Sequence, residues 1–164
     1  MILGLSLETF TKLHVVISLV AIVAGLIVLL GMLCAERLPG WTALFLAITV
    51  LTTATGFMFP ATQFTPALGV GFVSAAFVAA ALLALYAFDL RRSWRWIYVV
   101  AAVVALYLNV FVLVVQAFQK VPTLHAFAPN GNEPAFIVAQ TVVLALFGWL
   151  GYLSVRRFHP ELAH

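Results

Sequence analysis

Apolar residues run almost unbroken through five stretches, residues 13–34, 41–60, 67–88, 96–118 and 135–155, while prolines, glycines and charges collect in the gaps between them. A helix must offer roughly 20 apolar residues to cross a hydrocarbon layer of about 30 Å. Each stretch meets that length, and in lipid a single segment keeps its backbone hydrogen bonds only as a helix. The pattern predicts an all-α fold, a polytopic transmembrane bundle of five helices forming one domain over residues 1–164.

The gaps read as helix boundaries. Pro39-Gly40 breaks the first connection, and Trp41 follows at the depth where amphipathic rings settle. Pro60 and Pro66 bracket a short second turn, with Thr65 placed to cap the third helix and Pro66 at its first position. The third connection, Arg91-Arg92-Ser93-Trp94-Arg95-Trp96, is rich in interfacial anchors. The fourth, residues 119–134, is long and carries Lys120, His125, Asn130-Gly131 and Glu133, as a lid or a solvated loop would.

Within the apolar stretches, polar and small residues follow helical spacing. His14, Ser18, Ala21 and Gly25 share a face of the first span, and Thr42, Thr49, Thr52, Thr53 and Gly56 make a threonine line on the second. Ala67, Gly71, Ala75 and Ala79 on the third are spaced for close approach of helix backbones. Asn109, Gln116 and Lys120 fall near one face of the fourth, and Gln140 with Thr141 lies early in the fifth.

Composition strengthens the membrane reading. Of the chain, 65% is hydrophobic and 8% charged, and the mean hydropathy is +1.18. No room is left for a water-soluble domain. The pI near 9.4 reflects a net charge of only +3 whose members sit at helix ends, so nucleic acid is not the expected partner; the lipid bilayer is. Arg37, Arg91, Arg92, Arg95, Arg156 and Arg157 belong to one side of a five-span topology, against Lys12 and Lys120 on the other. The positive-inside bias then places the N-terminus outside and the C-terminus in the cytoplasm.

The first span lacks a basic leader and is expected to be retained, and bulky Leu33 before Cys34 argues against a lipoprotein cleavage site. One cysteine makes no intramolecular disulfide. Nucleophilic catalysis would need a base and an orienting carboxylate; His14 and Ser18 are one turn apart, but no acid accompanies them, so the chain leans away from an enzyme. The function expected instead is a polar site, open to the outside within the membrane, that binds or passes a small polar molecule or ion. Its residues would be His14, Asn109, Gln116 and Gln140, with Lys120 and His125 near the mouth, because intramembrane polar groups seek the bundle interior or water. Two alternatives stand beside it: an accessory subunit, packed in a homo-oligomer or larger membrane complex through the small face of the third span, and a redox protein holding haem or a metal through His14, Met58 or His125.

The segments LYLNVFVLVVQAFQKVP, EPAF, Ala139-Gln140 and TATGFMFP resemble small multi-pass bacterial inner-membrane proteins to which no activity is assigned. The resemblance implies the bacterial inner membrane as location. It implies nothing about mechanism.

Overall fold

The structure is a computed structural model that describes residues 2, 4–60 and 63–159. Among these residues there are six helices and no strand: α1 (Leu7–Leu33), α2 (Pro39–Phe57), α3 (Pro66–Leu82), α4 (Trp94–Lys120), α5 (Pro122–Phe127) and α6 (Pro134–Arg157). A π-helical turn, Leu83–Ala87, prolongs α3, so that five helices are long and apolar enough to span a bilayer. The protein is a multi-pass membrane protein of all-α fold.

Local chemistry explains where the helices begin and end. α1 starts before its apolar stretch because the Ser6 hydroxyl accepts from the Thr9 amide at 3.2 Å, and Lys12 pairs with Glu8 one turn away at 2.6 Å. α2 and α6 open on Pro39 and Pro134, whose fixed φ and missing N–H suit a first turn. α3 opens as expected, with the Thr65 hydroxyl accepting from the Leu68 amide at 3.3 Å. Helix α5 was not foreseen. It follows Pro122 inside the long connection and shortens the irregular segment.

α1, α2, α3 and α4 pack each against the next, and α4 returns to α1, closing a four-helix ring; α6 lies outside the ring against α4 and α1. α4 is therefore the central element, touching α1, α3, α5 and α6, and Tyr98, Val99, Ala101, Ala102, Val103, Ala105 and Leu106 are all buried on it. α6 buries only Phe147 and Ser154 and turns Val138, Val142 and Trp149 outward, where lipid rather than protein covers them.

One approach sets the spacing of the ring. A Cβ on Gly25 would stand 2.6 Å from Leu106 Cδ1 and 2.8 Å from Phe45 Cε2, so α1 comes as near to α2 and α4 as it does only because residue 25 has no side chain. The small line foreseen on α3 behaves differently. Gly71 meets the Phe57 ring, but Ala67 and Ala79 are exposed, and the buried line of α3 is Ser74, Val78 and Ala81. Packing on α3 thus runs along Ser74, Val78 and Ala81 rather than along the expected line.

Gly25→Leu should therefore destabilise the protein by about 1–3 kcal/mol through overpacking. Gly148→Leu should be close to neutral, since nothing lies within 4 Å of a Cβ there. Thermal unfolding of the purified protein in detergent measures both. Equal losses in the two variants would refute the close-approach argument.

Candidate functional site

Two regions hold the polar groups of the bundle, one at each end. At the end shared by the start of α1, the finish of α2 and the finish of α4, α2 presents its threonines inward: Thr49, Thr52 and Thr55 are buried. Thr49 donates to the Phe45 carbonyl at 2.7 Å and Thr55 to the Leu51 carbonyl at 2.8 Å, the usual way a hydroxyl is satisfied inside lipid. Thr53 meets Ser74 of α3 at 3.3 Å. Much of the threonine line is thus structural glue.

His14 sits against the Thr55 hydroxyl, with Nδ1 and Oγ1 2.8 Å apart. Because Thr55 gives its proton to Leu51, its oxygen is left to accept, so the network assigns the imidazole proton to Nδ1 and leaves Nε2 as a lone-pair acceptor. The ring stands edge-on to Phe59 at 5.2 Å. Ser18 donates to the His14 backbone carbonyl at 2.8 Å. Its hydroxyl is engaged with the main chain rather than aimed at the imidazole.

Deeper on the α4–α6 seam, Gln140 Nε2 donates to the Phe111 carbonyl at 3.2 Å. Its Oε1 is buried without a partner among the described residues, and so are Asn109 Nδ2 and Thr52 Oγ1. His14, Asn109, Gln116 and Gln140 form no hydrogen bonds with one another among the described residues. His14 is tied to α2 and Gln140 to α4. In the 119–134 connection, His125 Nδ1 lies 3.3 Å from the Phe118 carbonyl, while Lys120 is exposed at the end of α4. Met58 ends α2 and is exposed, and no group of three or more His, Cys, Asp or Glu side chains among the described residues is placed to hold a metal ion.

At the opposite end the sequence offers its arginines as topology-setting charges. A cavity of about 180 Å³ lies there, where the end of α1, the start of α2, the π-turn, the start of α4 and Phe158 converge. Val28, Met32, Leu85, Leu90 and Phe158 give it an apolar floor; Tyr98 and Thr42 add hydroxyls, and Glu36, Arg37 and Asp89 stand at its rim. Asp89, Leu90 and Arg92 hold left-handed backbone, with φ of 47°, 56° and 49°. Side chains of this kind rarely accept that region, and both the strain and the π-turn before it are features that collect at functional sites.

Arg95 has a role beyond topology. Its guanidinium donates to the Val155 carbonyl at 2.9 Å and the Phe158 carbonyl at 2.6 Å, closing the C-terminal end of α6 and tying that peripheral helix to the ring. No local sequence pattern could announce it, since donor and acceptors are sixty residues apart. The tyrosine was equally hidden: Tyr98 reads as part of an apolar run.

No protein-family model, no curated protein and no solved structure matches this chain.

The loop before α6 is organised by Glu133. Desolvation pushes its carboxyl up, but hydrogen bonds from the Asn130 amide N–H, the Asn130 side chain and the Asn132 amide N–H outweigh it and hold the carboxyl below its ordinary value. A folded pKa below the unfolded one means that the contribution to order is present above the ordinary Glu value and lost as pH falls through the folded value. Hydrogen exchange at the Asn130 and Asn132 amides should therefore accelerate in acid, beyond the normal chemical dependence. In Glu133→Gln that extra pH dependence should vanish; its persistence would mean that another group holds the loop.

Proposed function

We propose that this is a membrane protein with its N-terminus outside and its C-terminus in the cytoplasm of a bacterial inner membrane, binding a small polar molecule or ion in the half of the bundle that holds His14, Asn109, Gln116 and Gln140. Lys120 and His125 flank the approach from the long connection. The observation that carries this reading is the pair of orphaned amide groups: a donor on Asn109 and an acceptor on Gln140, both buried, on helices packed against each other. Buried polar groups are nearly always paired, and leaving one unpaired costs about 1–3 kcal/mol. A water or a small ligand bearing both donor and acceptor satisfies what the helices leave open.

Binding suits the arrangement better than free permeation. Between the polar half and the arginine end lies an apolar layer of Phe45, Leu46, Leu106, Val28 and Leu29, all buried, and α1 is already at its closest approach there. An open aqueous path requires that layer to part.

Two measurements test the reading in membranes. Cys34, the single cysteine, is exposed at the arginine end, so a membrane-impermeant maleimide added outside should spare it in intact cells and label it after permeabilisation. In a Cys34→Ser background, Asn130→Cys should be labelled from outside; the reverse pattern would invert the orientation. For the site itself, a small methanethiosulfonate reagent attacks only thiols that reach water. Asn109→Cys should react, and Ala105→Cys, one turn along the same helix and fully buried, should not. If both are inert, the amides are interhelical glue and no polar chamber exists.

A further inference from the structure

The arginine-end cavity is a second site, independent of the amide seam, and its walls have a definite chemistry. Tyr98 is 2% exposed, and it and neighbouring Thr42 both line the cavity. Arg37 and Glu36 have no ion-pair partner among the described residues. Asp89 meets only Arg91, at 3.7 Å and in the open. The cavity thus offers two hydroxyls and a guanidinium that makes no ion pair among the described residues on one hand, two carboxylates on the other, and an apolar floor beneath.

A purely anionic ligand would gain Arg37, Tyr98 and Thr42 but face the carboxylates of Glu36 and Asp89. A purely cationic one would gain the carboxylates and face Arg37. We infer that the cavity binds a small zwitterion attached to an apolar body, its anionic group between Arg37 and the hydroxyls of Tyr98 and Thr42, its ammonium toward Glu36 and Asp89, and its apolar part over Met32, Leu85 and Phe158. The volume of about 180 Å³ is that of roughly six waters at about 30 Å³ each, enough for such a head with a few carbons. The π-turn and the left-handed residues after it place Leu85, Tyr86, Asp89 and Leu90 on one wall, so the strained backbone shapes the site. Such a zwitterion has two sources: the headgroup of a zwitterionic phospholipid, at whose depth the helix ends lie, or a free molecule such as an α-amino acid with an apolar side chain.

Thermal unfolding of the full chain in detergent distinguishes these cases, with native mass spectrometry to count bound molecules. The probes are phosphatidylethanolamine, L-leucine, oleate for the anion alone and dodecylamine for the cation alone. A zwitterionic probe should raise the midpoint by about 2–4 °C near saturation. Phosphatidylethanolamine acting alone identifies the bilayer as the source, and L-leucine acting alone identifies a free zwitterion. The rise should disappear in Arg37→Gln, an exposed position, and in Tyr98→Phe, which keeps the ring packed, and should persist in Arg157→Gln. No rise with either zwitterion, an equal rise with oleate or dodecylamine, or a full rise in Arg37→Gln and Tyr98→Phe would overturn the assignment.

Discussion

Hydrocarbon offers no hydrogen-bond partner, and nearly every polar feature of this protein is a response to that constraint. The backbone answers it with helices. Hydroxyls in the spans answer it by folding back on their own helices, as Thr49 does to Phe45, Thr55 to Leu51 and Ser18 to His14. Where a helix ends and its carbonyls lose their partners, a side chain from another helix replaces them, as Arg95 does for α6. Groups that break the rule become conspicuous for that reason: Asn109 Nδ2, Gln140 Oε1, Thr52 Oγ1 and Ser154 Oγ are buried without a hydrogen-bond partner among the described residues.

The same constraint separates the two ends of the bundle. Through its middle the ring is apolar and close-packed around Gly25, Phe45 and Leu106, and polar chemistry gathers mainly toward the ends. At one end it takes the form of amides and an imidazole held by helix-to-helix contacts. At the other it is a cavity whose hydroxyls, guanidinium and carboxylates lie where helix ends meet. The left-handed turn at Asp89, Leu90 and Arg92 belongs to the second arrangement, since Asp89 and Leu90 line the cavity.

α6 shows how little packing a membrane helix needs. It buries two residues, but the Arg95 cap, the Gln140 bond to Phe111 and the close approach at Gly151, where a Cβ would stand 3.2 Å from Val103 Cγ1, hold it at three levels. Its apolar outer surface needs no protein cover, since lipid is as apolar as the residues themselves.

The sequence by itself determined the number of spans, their approximate limits, the cap at Thr65 and the polar lines on each helix. All of these depend on length, local hydropathy or spacing within one helix, which a linear pattern records directly. It could not say which face of a span would be buried. On α3 Ala67 and Ala79 of the expected packing line lie outward, and on α4 Tyr98 passes unnoticed in an apolar run although it lines a cavity. Nor could it announce the Arg95 cap, the His14–Thr55 contact or the unpaired amides. Each depends on two segments distant in the chain meeting at one depth, a property of the assembled helices alone.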